Sequence, residues 1–403
     1  MIYFDNSATS PIDSEVFEAM KPYLLEEYGN PSSKYYDKAI HAKKAVERAR
    51  EQVAALINAN PEEIIFTAGA TESTNFIIKG YLDYRKYYGD GKNHVITTVA
   101  EHKATLNTCK FLNGEIYSNN DPTISLFGEK KRVNRGFEAS FVNVDNTGAV
   151  NLNALQDSFK DNTALVSAIY VNNEVGTIND IEEIAKITHS HGAALHTDVT
   201  QALGKMPVDV KVLNCDYLSC SAHKIYGPKG IGAAYVKADM YGIEPITAFL
   251  HGGEQEQGFR AGTLAVHDIV GFGKAAEIAR NNIQENEKKI ADIDSYLVNR
   301  LLTIPYVRLT NSGTNRLKGI VSIIIEKDDF NNERFLKRMS GEVALSTGSA
   351  CSLGEPSYVL EAMGLDIWRN RVLRISLNKY TTFDEIDTLI HILRCILKMI
   401  CER

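Results

Sequence analysis

Short, almost continuously apolar runs recur along this 403-residue chain, and amphipathic stretches separate them. The runs are EIIFT (63–67), HVITTV (94–99), ASFVNV (139–144), ALVSAIYV (164–171), AALHTD (193–198), DYLSCS (216–221) and IGAAYV (231–236). A strand with one wet face alternates apolar and polar residues. These runs mostly do not, so they predict strands buried on both faces. Ala39, Ala42, Val46, Ala49, Val53 and Leu56 recur at three- and four-residue steps, the period of a helix with one buried face. Strands alternating with helices predict an α/β fold with a mostly parallel sheet.

The rhythm changes in the last third. A long helical pattern runs from about His267 to Leu302, followed by a strand at 319–326, a helix, a strand around Arg371–Leu377 and a final helix from Asp384. That order predicts a smaller C-terminal α+β domain, and a chain of this length can bury two cores. Residues 113–135 are polar and turn-rich, which reads as a surface loop or insertion. Its Lys130, Lys131, Arg132 and Arg135 form a small basic cluster; a solvated loop is the plainer reading and a partner contact the sharper one.

Lys plus Arg number 44 and Asp plus Glu 51, a net charge of −7, which gives no general attraction for nucleic acid. The opening MIYFDNSATS has neither the basic nor the apolar region of a signal peptide, and no apolar run approaches membrane-spanning length. A cytoplasmic protein without membrane contact is expected. Six cysteines lie scattered at 109, 215, 220, 351, 395 and 401 with no CxxC pair, so neither disulfides nor a metal site is expected. Most should be buried, inert thiols.

Five short segments carry chemistry. SAHK (221–224), followed by IYGPKGIG, puts Lys224 where a strand gives way to a Gly- and Pro-rich loop. Such an amine is either surface charge or the partner of a cofactor aldehyde in a Schiff base. HTDVTQ (196–201) ends a strand at Asp198. An ionised Asp there can hold a protonated pyridine nitrogen; the plainer reading is a helix cap. TAGATES (67–73) joins a strand to a helix, where Ala70 and Thr71 could offer N–H groups to a phosphate, or Thr71 could simply cap the turn. EHKA (101–104) places His102 just past a strand end, where α/β sheets gather ligands; a lone His is more often structural. STGSACS (346–352) surrounds Cys351 with small polar residues, the setting of an accessible thiolate and not of a core thiol.

The chain resembles the cysteine desulfurases of the nitrogen-fixation and iron–sulfur-cluster type, fold-type I pyridoxal 5'-phosphate (PLP) enzymes related to class V aminotransferases. The resemblance rests on the order of FDNSATS, YGNPSS, FTAGATES, EHKATL, YVNNEVGTI, HTDVTQALGK, SAHKIYGPKGIGA, RAGTLAVH, STGSAC, EPSYVLEAMG and RVLRISL. It implies a large PLP-binding domain at 13–262 and a small domain built from 1–12 and 263–403, which carries the Cys351 loop. It implies that Lys224 carries the PLP, His102 stacks on its ring and assists proton transfer, Asp198 holds the pyridine nitrogen and Gln201 the phenolic oxygen. Ala70, Thr71, Ser221 and His223 would hold the phosphate, joined by Thr263 from a neighbouring subunit, so a homodimer is implied. Asn173 and Arg374 would grip the carboxylate of L-cysteine. Cys351 would take the sulfur as a persulfide, leave alanine, and pass the sulfur to an acceptor protein. The base chemistry agrees: sulfur transfer depends on a thiolate, and a buried Lys224 with a lowered pKa suits proton abstraction.

Departures from the family pattern are Ser7 and Ser10 where Asn and Thr are common, Asn378 where Gly is usual, and the 113–135 insertion. Only Ser352 to Glu355 separate Cys351 from Pro356, about two residues fewer than in the housekeeping members. Two residues span up to roughly 7 Å, so the short tether predicts a Cys351 segment held in one preferred position. The acceptor pathways open to such a protein are iron–sulfur cluster assembly, tRNA thiolation and DNA phosphorothioation. Competing readings are a selenocysteine lyase or aminotransferase of the same class, or a non-catalytic scaffold; Cys351 in its GSAC setting separates the first group, and intact Lys224, Asp198 and His102 the second.

Overall fold

The computed structural model describes residues 1–115, 133–242, 245–311, 315–348 and 357–401, with side chains to residue 398. Among them the strands are β1 Ile2–Tyr3, β2 Ile64–Thr67, β3 His94–Thr98, β4 Glu138–Val142, β5 Thr163–Ile169, β6 Ala194–Asp198, β7 Tyr217–Ser221, β8 Gly232–Val236, β9 Val307–Leu309, β10 Ile320–Ile325, β11 Val343–Ala344 and β12 Val372–Ser376. The helices are α1 Ser14–Leu25, α2 Asp37–Ile57, α3 Ala70–Tyr87, α4 Lys103–Leu112, α5 Leu152–Asp157, α6 Ile181–Ser190, α7 Val210–Leu213, α8 Val266–Leu301, α9 Asn332–Met339, α10 Tyr358–Ala362 and α11 Phe383–Cys401.

Seven strands form one sheet in the order β2-β8-β7-β6-β5-β3-β4. Neighbours from β7 through β4 are parallel, while β8 is antiparallel to both β7 and β2. Hence β2 runs with the other five, and β8 alone runs against them. The chain therefore leaves β2, β3, β5, β6 and β7 at the same sheet edge, where α/β sheets bind ligands. β2, β3 and β5 through β8 are buried almost throughout, as their continuous apolar runs predicted.

One face of the sheet packs α2 and the first half of α8 through Val46, Val53, Phe66, Val266, Phe272 and Ala276. The other packs α3 and α4 through Phe76, Ile77, Leu82, Cys109 and Leu112. A separate core gathers Phe4, Ile293, Leu297, Leu301, Val321, Ile323, Leu373, Ile375, Leu389 and Leu393 around the three-stranded sheet β12-β10-β9. The 36-residue α8 thus feeds two cores along its length. The first residues belong with the second core: Ile2 pairs with Val343, Asp5 bridges to Ser376, and Phe4 is fully buried.

Most of the sequence expectations for elements agree with these bounds to within a residue or two. ASFVNV does not run as one strand: β4 ends at Val142, and Val144 bridges instead to Val150 across a turn. The cause is Asp145, whose carboxylate accepts from the backbone N–H of Thr147 at 2.8 Å and of Ala149 at 3.0 Å and so folds the chain back. Of the 113–135 segment, residues 116–132 lie outside the described residues.

Candidate active site

A cavity of about 760 Å³ opens at the strand ends. Ala70, Thr71, His102, Asn173, Asp198, Gln201, Ser221, His223, Lys224 and Arg374 all line it. Sequence reasoning drew them from segments spread over some three hundred residues; the shared strand direction brings them together.

The turn from β2 into α3 is built for close approach. Gly69 caps α3 with φ +149° and no side-chain bond, so Thr71 does not cap this helix. Ala70 and Thr71 open the helix beside the cavity. Free N–H groups at such an end attract an anion. A Cβ on Gly232 would stand 2.7 Å from the Gly69 Cα, so glycine there lets β8 pass under the turn.

Lys224 ends a short 3-10 turn, Ala222–Lys224, that directly follows β7. Its amine donates to the carbonyls of Ser7 and of Ala8, the latter at 2.7 Å. His102 sits at the head of α4, where Nδ1 accepts from the Ala104 N–H at 3.2 Å. That bond leaves the ring proton on Nε2. Burial pushes its pKa below the usual value; Asp198 pulls it up and Lys224 pushes it further down. His223 bonds Thr9 Oγ1 through Nδ1 at 3.1 Å and is held near 4 by burial and by Lys224, Lys229 and Lys205.

Asp198 ends β6 and is 4% exposed. Its Oδ1 accepts from the Thr200 N–H at 2.9 Å, a tight turn and not the helix cap of the plainer reading. Gln201 is held at both ends: Nε2 donates to Ser7 O at 2.9 Å and Oε1 accepts from Lys205 at 3.0 Å. Arg374 reaches in from β12, 1% exposed. It donates to Asp5 Oδ1 at 2.7 Å, Asn173 O at 2.8 Å and Gly348 O at 2.6 Å.

Of the other two predicted residues, one is described and does not line this cavity. Thr263 is exposed and lines no part of it. Cys351, with the rest of 349–356, lies outside the described residues, as does the expectation about its tether. Its described flanks are anchored beside the cavity, Gly348 by Arg374 and Ser357 by the buried carboxylate of Glu174.

Buried polar atoms of four lining residues have no partner among the described residues: Ser7 Oγ, Asn173 Oδ1, Thr200 Oγ1 and Arg374 Nε. Such groups are costly unless something polar meets them. Together with the bare α3 N-terminus, the buried Asp198 and the lysine, they fit an anionic, planar, aldehyde-bearing group such as PLP. Ser7, Ala8 and Lys205 escaped sequence reasoning. The first two act through backbone carbonyls, which every residue has; Lys205 sits in QALGK, where nothing in the residue types marks it.

A family model described as "Aminotransferase class-V" matches residues 2–117 and 126–389. "Cysteine desulfurase IscS" of Rickettsia typhi is 38% identical over 97% of this chain and 90% of its own length. The solved structure of a "NIFS-like protein" superposes with a TM-score of 0.86 at 34% identity, covering 99% of each chain. One described as "SspA in complex with cysteine" superposes at 0.77 with 33% identity, covering 95% of this chain and all of that one.

Proposed function

Because this chain belongs to the class V aminotransferase family, we propose that it is a PLP-dependent cysteine desulfurase that moves sulfur from L-cysteine to Cys351. The observation that carries this reading is the convergence of Lys224, Asp198, His102 and Gln201 on one cavity lined with unpartnered polar atoms. The curated relative and the cysteine-bound neighbour support it.

PLP would supply an electron sink for bonds to the substrate Cα. This chain's residues do the rest. Lys224 would hold the group covalently, and its amine, when free, could take and return protons. Asp198 holds the pyridine nitrogen protonated. Ala70, Thr71, Ser221 and His223 cradle the phosphate. His102 would lie against the group and could move a proton at Nε2. Asn173 and Arg374 meet the substrate carboxylate, with the guanidinium already fixed in plane by Asp5 and two carbonyls. The Cys351 thiolate attacks the substrate sulfur: the C–S bond breaks, an S–S bond forms, and the carbon skeleton takes the electron pair and protons and leaves as L-alanine. An acceptor protein then collects the sulfur.

The division of residues 13–262 from 1–12 and 263–403 is part of this reading; Phe4 and Ile2 in the second core support its N-terminal end, while the first half of α8 packs in the first core. A homodimer is part of this reading. It is supported by the exposed Thr263 and by exposed Leu25, Tyr28 and Tyr35 around the α1–α2 connection.

The test is spectroscopic and chemical. Purified protein should take up PLP with a visible band that Lys224→Ala abolishes. With L-cysteine and a thiol reductant it should form equal amounts of alanine and sulfide. Cys351→Ser should keep the spectral response to cysteine and lose nearly all sulfide. Full sulfide release by that variant would move the acceptor to another thiol, and a wild type that takes up no PLP would end the proposal.

A further inference from the structure

Behind Lys224, on the side away from the main cavity, lies a second small cavity lined by Lys205, Lys224, Tyr226, Asp13 and Lys379 and closed by Ala275 and Ala279 of α8. Lys205 is the odd member. Its ammonium donates to Gln201 Oε1 at 3.0 Å, and among the described residues it makes no ion pair. The cations that act on it are Lys224 and Arg374, and it in turn helps to keep the neighbouring His223 neutral. The carboxylate of the small cavity, Asp13, is taken up by Lys379 and by the Tyr380 hydroxyl at 2.9 Å. Asp198, which lines the main cavity, accepts from the Thr200 N–H and makes no bond to Lys205 among the described residues. A lysine this enclosed ordinarily has a carboxylate. Burial, Lys224 and Arg374 together pull its pKa down to about 7.

The bond to Gln201 explains what such a lysine can do. An amide side chain can present either its oxygen or its NH₂ to a ligand, and the neighbours decide which. Lys205 has only donors, so it takes the Gln201 oxygen. The Gln201 NH₂ then points the other way, toward the Ser7 carbonyl at 2.9 Å, the same carbonyl that receives Lys224. Four residues thus form a chain: Lys205, Gln201, Ser7 and Lys224. Gln201 lines the main cavity, and its NH₂ makes no second bond among the described residues.

We propose that Lys205 is a positioning residue that fixes the Gln201 amide with its NH₂ toward the cofactor and thereby lowers the proton affinity of the Lys224 nitrogen in the PLP-loaded protein. The inference rests on the functional reading above. A donor held against the ring oxygen weakens that oxygen's attraction for a proton on the neighbouring nitrogen. A cation behind the nitrogen acts in the same direction. Without Lys205 the amide oxygen loses its donor, the Ser7 bond alone is left to orient the amide, and the cation is gone, so both effects weaken.

The experiment is a pH titration of the visible band of PLP-loaded protein, with no substrate present. Lys205→Met should raise the midpoint by about one pH unit, a tenfold gain in proton affinity. Lys205→Arg, which keeps donors and charge, should stay near wild type. Gln201→Leu, which leaves Lys205 in place but removes the amide, should raise the midpoint as Lys205→Met does. An unchanged midpoint in either Lys205→Met or Gln201→Leu overturns the proposal; the second variant decides the matter if the first does not fold. A wild-type protein that takes up no PLP would overturn the function and this inference together, and would be seen before any variant is made.

Discussion

His102 divides two tasks between its two ring nitrogens. Nδ1 caps α4 through the Ala104 N–H, and the proton on Nε2 is left for the cavity. Loss of a cap costs about 1 kcal/mol, and loss of a proton-transfer group slows turnover by roughly 10²-fold or more. His102→Ala should therefore show both effects in a folded protein. His102→Asn can still cap, so it should melt close to wild type while turnover stays low. Equal turnover in wild type and His102→Asn would reduce His102 to a cap. Residues such as His102, Asp198 and Lys224 were legible in the sequence because their chemistry lies in side chains placed at strand ends. Ser7 and Ala8 were not, because a backbone carbonyl leaves no mark on residue type. Lys205 was not, because a lysine after a turn reads as surface charge until its neighbours are known.

The turn between β3 and α4 is tied to β5 by one buried carboxyl. Glu101 Oε1 accepts from Thr98 Oγ1 at 2.8 Å and from the Ile169 N–H at 3.0 Å, while Oε2 has no partner among the described residues. Burial pushes this carboxyl up to about 8 from the ordinary 4.5, so the folded protein holds a proton that the unfolded chain releases. The stabilising contribution is complete below about pH 4.5 and declines as pH rises to about 8, by up to about 1.4 kcal/mol per pH unit. Glu101→Gln should flatten that decline between pH 5 and pH 8 in denaturant titrations; an unaltered slope would mean that Glu101 ionises normally. Elements of this kind were well read from sequence where burial is complete on both faces. Where a side chain competes with the ladder, as Asp145 does after β4, the apolar run overstated the strand.

At the scale of the whole molecule, the sheet's common strand direction was legible from alternating elements, whereas the proposed homodimer came only from the family resemblance, since exposure cannot be read from residue type. Thr263 gives the proposed dimer a specific test. Thr263→Ala should remain folded, sediment as a dimer and bind PLP about tenfold more weakly. Mixing it with Lys224→Ala chains should create dimers with one complete site, restoring one tight PLP per pair. Monomers in sedimentation, or no recovery on mixing, would count against a shared site.

The first ten residues impose an order on how the protein comes into being. Ile2 pairs with Val343, the Ser7 N–H donates to Ser376, and the Ser7 and Ala8 carbonyls hold Lys224. At about 5–20 residues per second, a ribosome makes these early residues roughly 20 to 70 s before their last partners emerge. Through that interval the nascent chain's large sheet can assemble, yet the segment that seats its lysine lacks its Val343 and Ser376 partners and the cavity lacks Arg374. The catalytic pocket is therefore among the last things translation completes, and an aborted chain cannot carry a finished one.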